Sequence, residues 1–302
     1  MLAIIAPGQG SQTPGMFNSW VANPVFHELL SKWSMRIDVD LIRLGTTADA
    51  DEIKDTANAQ PLIVAASLLG AHALGMKNFS FTSGHSVGEL AAAAISGAIS
   101  DEDALRLVRA RGIEMAKAAA LSPAGMSAVL GGDRKIVLKR LNELQLVAAN
   151  DNGGGQIVAA GDLAALAALS ENPPEGARVR ALAVAGAFHT AFMAPAVEPL
   201  RALAETISTT PTTISVISNK DGEVVTDGAQ VLTRIVNQIA NPVRWDLCME
   251  TMKKLGITGV IELPPAGTLV GLLKRGAPEI ETFALKSADD LSAAKEFAGR
   301  HA

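Results

Sequence analysis

The sequence predicts an α/β fold with a mainly parallel sheet, into which a smaller unit is inserted. Short apolar runs of strand type alternate with helical runs along most of the chain, which is typical of a parallel sheet covered by helices on both faces. Between residues 123 and 186 the order of the predicted elements becomes βαββαβ, the split pattern of a ferredoxin-like unit. We therefore predict a large domain formed by residues 1–122 and 187–302, with residues 123–186 as a small domain.

The elements of the large domain are predicted from apolar runs and from the residues that end them. Ser100 and Asp103 resemble a capping box, with Asp103 where Glu or Gln is usual, and predict a helix that runs to about Ala119. The predicted strands are Leu2–Ala6, Asn78–Thr82, Thr213–Ile217, Ile257–Glu262 and Glu281–Leu285. The other predicted helices are Pro61–Ala73, Glu89–Ile95, Ala191–Thr206, Val231–Ile239, Trp245–Glu250, Thr268–Lys274 and Asp289–Gly299.

The small domain begins where Leu121–Gly125 breaks the preceding helical pattern. Its two central strands are separated by the turn-rich segment Asn150–Gly155. In chain order its predicted elements are strand Met126–Leu130, helix Asp133–Leu144, strands Leu146–Ala149 and Gln156–Ala160, helix Asp162–Ser170 and strand Ala177–Val184.

The composition indicates a globular protein and limits its expected partners and cellular compartment. Of 302 residues, 48% are hydrophobic and 19% charged, and the net charge of −5 favours neither a nucleic-acid partner nor a polybasic membrane patch. Cys248 is the single cysteine, so no intrachain disulfide can form and we expect a buried thiol in a reducing, cytoplasmic compartment.

The five histidines are scattered, and we expect no metal site. The apolar run Met1–Ala6 is too short for a signal peptide, and Leu62–Leu74 is too short and interrupted to span a bilayer.

The stretch Gly84–Gly88 reads G-x-S-x-G between a predicted strand and a predicted helix. Such a sharp turn holds the hydroxyl of Ser86 above the sheet edge, and a Cβ at either glycine would clash there. The helix N-terminus beneath the serine offers free N–H groups to an oxyanion. The alternative is a Gly-Ser loop without chemical consequence, since the bare motif is common. The strand–turn–helix context favours a nucleophilic serine.

A serine hydroxyl needs a base within hydrogen-bond reach, so each histidine is a candidate. His27 and His72 lie in helical segments, and His301 is penultimate, where we expect fraying. The side chain of His85 should diverge from its neighbour Ser86. His189 lies where the insert rejoins the large domain; it is either the base at a cleft edge or a cap of the following helix.

The positions of these residues argue against an ordinary α/β-hydrolase. In that class an acid follows the serine and the histidine lies near the chain end. Here His189 comes early, and no acid stands out between it and Ser86. A Ser–His pair whose imidazole is oriented by a backbone carbonyl would serve instead.

With these residues in hand, the whole chain resembles the malonyl-CoA:acyl carrier protein transacylases. The opening Gly8–Gln12 matches the family's G-Q-G-x-Q, and Gly84–Glu89 matches G-H-S-x-G-E with Val87 where leucine is frequent. Three further segments match in the family's order: Arg109–Gly112, Gly186–His189 and Gln238–Trp245. The sequence departs from the family at Leu263–Gly267, where a G-P-G-like loop is frequent and Pro265 removes a backbone donor.

The resemblance implies the fold and the catalytic groups. The family's fold is a hydrolase-like large domain with a ferredoxin-like insert. Its mechanism is ping-pong transfer of malonate from malonyl-CoA to the phosphopantetheine thiol of acyl carrier protein, without a cofactor. By the match, Ser86 is the nucleophile and His189 the base, and the backbone N–H groups of Gln9 and Val87 form the oxyanion hole. The main-chain carbonyl of Gln238 orients the histidine.

The resemblance also implies how substrate is chosen. Arg111 matches the arginine that binds the malonyl carboxylate, although helical periodicity alone would make it a solvated residue. Phe188 matches the residue that crowds a 2-methyl branch, so methylmalonyl should be discriminated against incompletely. Asn152 and Gln156 lie at a turn that the family places near the cleft; they contact the acyl or pantetheine chain, or Asn152 forms an Asx turn.

Other functions remain open from the sequence. A serine esterase or thioesterase would use the same turn around Ser86 but release free acid to water. A carrier-binding scaffold would keep the fold without the chemistry, which intact Ser86, His189 and Arg111 argue against. We expect a discrete monomer for fatty acid or polyketide synthesis. A few exposed Lys or Arg near the cleft should bind the acidic carrier protein.

Overall fold

The computed structural model describes residues 1–76 and 78–302, and the part it describes is a mixed α/β structure with two sheets. The strands are β1 Leu2–Ala6, β2 Phe81–Gly84, β3 Ala124–Gly131, β4 Val147–Asp151, β5 Gln156–Asp162, β6 Ala177–Ala181, β7 Ser215–Ile217, β8 Val224–Val225, β9 Val243–Arg244, β10 Gly259–Glu262 and β11 Glu281–Ala284. The α-helices are α1 Asn18–Val21, α2 Pro24–Ile37, α3 Leu41–Thr46, α4 Thr56–Leu74, α5 Gly88–Ile95, α6 Asp101–Ala119, α7 Arg134–Glu143, α8 Leu163–Glu171, α9 Val197–Ala204, α10 Gly228–Gln238, α11 Trp245–Lys254, α12 Thr268–Gly276 and α13 Leu291–His301. The 3₁₀ turns are Glu52–Lys54, Ala191–Ala196 and Ala288–Asp290.

The larger sheet has the strand order β11-β10-β1-β2-β7-β8 among the described residues. All its pairs are parallel except the short β7–β8 pair at one edge. The central strand β1 is the run Leu-Ala-Ile-Ile-Ala, which is buried along its whole length. Helices cover both faces of a parallel sheet, so its central strand needs apolar residues on both sides. The prediction of a mainly parallel sheet is therefore confirmed.

The smaller sheet has the order β6-β3-β5-β4-β9. The segment from β3 to β6 follows the predicted βαββαβ order, and its strand pairs are antiparallel. The fifth strand, β9, comes from residues 243–244, beyond the predicted small domain, and pairs in parallel with β4. A run of two residues is too short to show the alternation of apolar and polar residues that identifies a strand in a sequence. The smaller sheet therefore includes one strand from outside residues 123–186.

Helix α4 is the one described helix that is long and apolar enough to cross a membrane, and 72% of its apolar window is buried inside the protein. It extends from Thr56, where the Asp55 side chain caps it, through Pro61 to Leu74. The helix packs on α6. The helix is thus longer than the run Leu62–Leu74 that was expected to be too short to span a bilayer, and burial in the core accounts for its apolar composition.

Three local expectations also need correction. The segment predicted as one helix from Ala191 begins as a 3₁₀ turn that contains Pro195, and α9 starts only at Val197. At the start of α6 the hydroxyl of Ser100 accepts the Asp103 N–H and donates to the Asp103 carboxylate; no reciprocal bond to the Ser100 N–H completes a capping box.

The third correction concerns helix α13, which ends in an ordered residue. His301 is buried, and its Nδ1 lies 3.0 Å from Thr258 Oγ1. The expected fraying of His301 is wrong, because this bond and the packing of its ring on Phe297 fix the last helical turn.

Candidate active site

Ser86 lies at a sharp turn between β2 and α5. Its φ of 53° is in the left-handed region, which a non-glycine residue occupies at a cost of about 1–3 kcal/mol. A Cβ on Gly84 would come within 2.0 Å of Gly88 C, and one on Gly88 within 2.3 Å of Ala6 O. Both glycines are therefore required by close backbone approach, which agrees with the prediction from G-x-S-x-G.

The hydroxyl of Ser86 is bonded to a histidine. Ser86 Oγ lies 2.7 Å from His189 Nε2, and His189 Nδ1 lies 2.8 Å from the main-chain oxygen of Gln238. A carbonyl oxygen only accepts, so Nδ1 carries the proton and Nε2 is free to accept the serine proton. The His189 N–H also donates to Ile239 O, which ties the residue to the end of α10 at both its backbone and its ring.

His189 is held in its basic form. Burial of the ring, and next the charge of Arg111, lower the pKa of His189 to about 3. The alternative that His189 caps the following helix does not hold, because the side chain of Thr190 accepts the Phe192 N–H at that position.

Arg111 is buried beside the nucleophile, at 1% exposure. Its Nη1 donates to Gln60 Oε1 at 2.7 Å, and its Nη2 donates to Gln238 Oε1 at 3.1 Å and lies 3.4 Å from Ser86 Oγ. Burial, partly offset by the charge of Glu89, lowers the pKa of Arg111 to about 10, so the side chain remains a cation at neutral pH. Arg111 Nε is buried without a hydrogen-bond acceptor among the described residues. The expectation of a solvated helix residue from periodicity alone is therefore wrong.

A buried polar network supports the turn from below. Gln238 Nε2 donates to Glu89 Oε2 at 2.6 Å, and the Asn219 N–H donates to Glu89 Oε1 at 2.6 Å. The Asn219 side chain accepts the Ser86 N–H at 2.8 Å and donates to Gly84 O at 2.7 Å. Burial raises the pKa of Glu89 to about 7, against the hydrogen bonds and the charge of Arg111 that favour its ionised form.

Two backbone N–H groups beside Ser86 remain available. Among the described residues, neither the Gln9 N–H nor the Val87 N–H has a hydrogen-bond acceptor within the protein. Gly8 allows the first loop to approach, since a Cβ there would come within 2.8 Å of His85 O. Free donors near a nucleophile are the arrangement that an oxyanion requires.

A cavity of about 180 Å³ opens onto Ser86 and His189. Phe188 lines it and is buried, at 6% exposure. Asn152 and Gln156 also line it, as their expected position near the cleft requires. The rest of the wall is mainly apolar. It comes from β3, β5, the segment that follows β6 and the first turns of α12: Met126, Val158, Leu182, Val184, Leu269 and Leu272.

His85 points away from Ser86, as expected, and joins the turn to the small sheet. Its Nε2 lies 2.8 Å from Asn152 Oδ1, and Asn152 Nδ2 donates to Gln156 Oε1 at 3.4 Å. Burial lowers the pKa of His85, so the ring is neutral. Cys248 is fully buried behind Asn219, and burial raises the pKa of its thiol, which is the inert state predicted for it.

Sequence reasoning missed the polar residues that hold the site groups. Gln60 lies inside an apolar helix and Asn219 lies in a turn after β7, where an asparagine is common, so neither position indicates a buried role by itself. Glu89 is the last residue of the match to G-H-S-x-G-E, and the resemblance assigns it no role. A buried carboxylate in the first turn of an Ala-rich helix is the signal that could have identified it, since charged residues are rarely buried without partners.

The sequence profile described as "Acyl transferase domain" matches residues 4–295. A malonyl CoA-acyl carrier protein transacylase of Mycobacterium tuberculosis is 52% identical over 296 residues, which cover 96% of this chain and 98% of the relative. The chain belongs to the malonyl-CoA:acyl carrier protein transacylase family. An Escherichia coli transacylase of the same name is 32% identical over 97% of this chain and 98% of its own.

Solved structures of transacylases share the fold over nearly the full length. The crystal structure of MCAT from Mycobacterium tuberculosis superposes with a TM-score of 0.95 at 51% identity, covering 98% of this chain and 99% of that one. A type II PKS acyl-carrier protein in complex with its malonyl-transacylase gives a TM-score of 0.91 at 29% identity, with 98% and 99% covered. The mixed α/β architecture with two sheets is thus that of the transacylase structures.

Proposed function

We propose that the chain transfers malonate from malonyl-CoA to the phosphopantetheine thiol of acyl carrier protein through a malonyl-Ser86 intermediate. The observation that carries the proposal is the position of Arg111, a buried cation 3.4 Å from the hydroxyl of a Ser–His pair. A hydrolase of neutral acyl groups has no use for a cation there. A malonyl thioester carries a free carboxylate that would pair with it.

Acylation begins with proton transfer. His189 Nε2 takes the proton of Ser86 Oγ as the oxygen attacks the thioester carbon. The N–H groups of Gln9 and Val87 hold the resulting oxyanion, and one such donor contributes about 2.7–4 kcal/mol of transition-state stabilisation. The C–S bond then breaks, CoA leaves as a thiol with the proton returned by His189, and the malonyl ester of Ser86 remains.

Transfer to the carrier repeats these steps in reverse. His189 takes the proton of the phosphopantetheine thiol, and the thiolate attacks the ester carbonyl. The C–O bond breaks and Ser86 Oγ regains the proton from His189. The Gln238 carbonyl keeps the imidazole in the tautomer that both half-reactions need.

Arg111 would select the acyl group. Its Nη2 faces Ser86 Oγ, and its Nε, on the same edge of the guanidinium, lacks an acceptor among the described residues. This edge can hold a carboxylate through two parallel N–H···O bonds. Acetyl-CoA would leave the edge unpaired, so acetyl transfer should be slow. The ring of Phe188 would crowd a 2-methyl branch, whose rejection is worth about 1–3 kcal/mol.

Asn152 bonds to His85 in the turn beside Ser86 and to Gln156, and both residues line the cleft, so we propose that they contact the acyl or pantetheine chain there. No cofactor takes part in the proposed reaction. The carrier is proposed to bind as an acidic partner at exposed basic residues around the cleft.

The enzyme is proposed to be a cytoplasmic monomer without nucleic-acid or membrane partners. The buried free thiol of Cys248 supports a reducing compartment.

We also propose that the two sheets mark two domains: a hydrolase-like domain of residues 1–122 and 187–302, and a ferredoxin-like domain of residues 123–186. The strand order β6-β3-β5-β4 and the antiparallel pairing support the second assignment. The parallel sheet with a serine at the turn after β2 supports the first.

Intact mass spectrometry after incubation with malonyl-CoA alone tests the proposal. We expect a malonyl adduct that maps to Ser86 and disappears when holo carrier protein is added. Steady release of free malonate without an adduct would assign a thioesterase instead. No turnover with any acyl-CoA would assign a scaffold.

A further inference from the structure

Gln238 forms hydrogen bonds with three residues of the site: the base His189, the cation Arg111 and the buried acid Glu89. Its main-chain oxygen accepts from His189 Nδ1 at 2.8 Å, and its side-chain Oε1 accepts from Arg111 Nη2 at 3.1 Å. Its Nε2 donates to Glu89 Oε2 at 2.6 Å. The backbone of this residue therefore serves the base, while its amide serves the cation beside the nucleophile.

The direction of the Gln238 amide is set by the oxygens around Nε2. Besides Glu89, these are Asn219 Oδ1 and Ser86 O, each at 3.2 Å. The reversed amide would place its oxygen against this group of acceptors and its NH₂ group against the Arg111 guanidinium. Both contacts would be repulsive in a buried site.

Glu89 accepts the shortest of the three hydrogen bonds from Gln238 Nε2, and its carboxyl group is fixed in position. It is 3% exposed, and its other oxygen accepts the backbone N–H of Asn219 at 2.6 Å. One carboxylate thus satisfies two fixed donors, from the turn after β7 and from α10. An amide at the same position offers only one acceptor and one NH₂ group.

From this network we infer that Glu89 is a positioning residue for acyl-group selection. It holds the Gln238 amide with its oxygen toward Arg111, and so leaves the Nε–Nη2 edge of Arg111 directed at the carboxylate of the acyl group. Glu89 itself does not touch the substrate. The inference rests on the role proposed above for Arg111.

The decisive variant is Glu89→Gln. If the oxygen of the introduced amide stays with the Asn219 N–H, its NH₂ group faces Gln238 Nε2, and the Gln238 amide reverses to relieve the contact. Arg111 then loses an acceptor and meets a donor. We expect the ratio of malonyl to acetyl kcat/KM for acylation to fall at least about tenfold, since small displacements of a positioning group have effects of this size. The fall should come mainly from a higher KM for malonyl-CoA, with acetyl kcat within about threefold of wild type, because the His189 contact uses the Gln238 backbone.

The effect must operate through Arg111, which a double-mutant cycle tests. Arg111→Ala alone should lower the ratio, and adding Glu89→Gln in that background should change the ratio no further. A further fall by the same factor would overturn the inference, because Glu89 would then act elsewhere. If Arg111→Ala leaves the ratio unchanged, the proposed role of Arg111 fails independently of Glu89.

A matched control separates positioning from loss of stability. Ile235→Val removes a buried methyl group from the same helix, three residues before Gln238, and should leave the ratio unchanged. Equal losses of malonyl and acetyl acylation in Glu89→Gln would reduce Glu89 to a structural role and overturn the inference. If that variant does not fold, Glu89→Asp keeps the charge but is too short to reach both donors, and it should lower the ratio in the same direction. A folded Glu89→Asp with an unchanged ratio would refute the inference.

Discussion

At the scale of single residues, the site depends on burial and on a few close neighbours. The Ser86 hydroxyl lies within hydrogen-bond reach of both the His189 ring and the Arg111 guanidinium, and each of these has a fixed partner behind it. Burial keeps His189 neutral, while Arg111 remains charged at neutral pH. A neutral base and a cation beside one hydroxyl are what transfer of an anionic acyl group requires.

Ser86→Ala should abolish the acyl-enzyme, because the nucleophilic oxygen is removed. We expect malonyl transfer to fall by more than about 10³-fold, as it does when a nucleophile that acts with its base is deleted. Intact mass after incubation with malonyl-CoA gives the measurement. Covalent malonate on this variant would contradict the assignment.

Arg111→Ala should lower malonyl kcat/KM by about 10²-fold or more, since two charge-assisted bonds to the carboxylate are lost. Acetyl transfer should gain relative to malonyl transfer. Arg109→Ala serves as the control, because Arg109 lies on the same helix but donates to Ala57 O instead. An unchanged malonyl-to-acetyl ratio in Arg111→Ala would refute the carboxylate contact.

The pH profile of acylation should reflect the low pKa of His189. With acetyl-CoA, which carries no titrating carboxylate, kcat/KM should stay level well below pH 6.5, since burial and the charge of Arg111 keep the free imidazole unprotonated. His85, the other ring near His189, is neutral as well. In Arg111→Ala, kcat/KM should begin to fall at a higher pH than in wild type, because loss of the Arg111 charge raises the pKa of His189. A wild-type kcat/KM that falls with the ordinary histidine pKa would contradict this account.

The same pKa affects stability. The unfolded chain binds a proton at His189 below about pH 6.5, whereas the folded protein does not until about pH 3. The contribution of this residue to the free energy of unfolding is therefore lost as pH falls from 6.5 toward 3. Denaturant unfolding of wild type and His189→Ala across this range should show a difference that shrinks with falling pH.

At the scale of elements, the turn between β2 and α5 is determined by close packing of backbone. The turn presses against the end of β1, where Gly88 meets the carbonyl groups of Ala6 and Pro7. The same contact directs the Ser86 hydroxyl into the cleft. Backbone packing alone therefore requires a glycine at position 88, independent of any catalytic role.

Gly88→Ala should lower the free energy of unfolding by about 1–3 kcal/mol or more, because its Cβ would lie 2.3 Å from Ala6 O. Gly299→Ala is the control: it lies in α13 with nothing within 4 Å of the added Cβ, and should stabilise by about 0.5–1 kcal/mol. Denaturant unfolding measures both. Equal effects of the two substitutions would contradict the packing argument.

At the scale of the whole molecule, β9 joins the two sheets. It pairs with β4 of the smaller sheet, while the Arg244 N–H donates to Asn219 O at the end of β7, at 2.7 Å. His85 and Asn152 form a second connection across the cleft. The catalytic turn is thus fixed relative to the wall that it faces.

These connections predict one cooperative unfolding transition. Midpoints in urea from far-UV circular dichroism and from tryptophan fluorescence should coincide, although all three tryptophans, Trp20, Trp33 and Trp245, are buried outside residues 123–186. Amide exchange in β3 and β5 should need the same opening as exchange in β1. A separate early transition of the small sheet would show that β9 does not couple the two.

The sequence by itself determined the α/β class, the order of most elements and the motif around Ser86, because periodicity, glycine positions and helix caps act over a few neighbouring residues. It also supplied the resemblance from which His189, Arg111 and Gln238 were named. Only the tertiary structure decided what surrounds them: the two-residue strand β9, the burial of Arg111, and the carboxylate of Glu89 behind Gln238. Those contacts join residues that lie far apart in the chain, and neither local pattern nor helical periodicity carries information over such a distance.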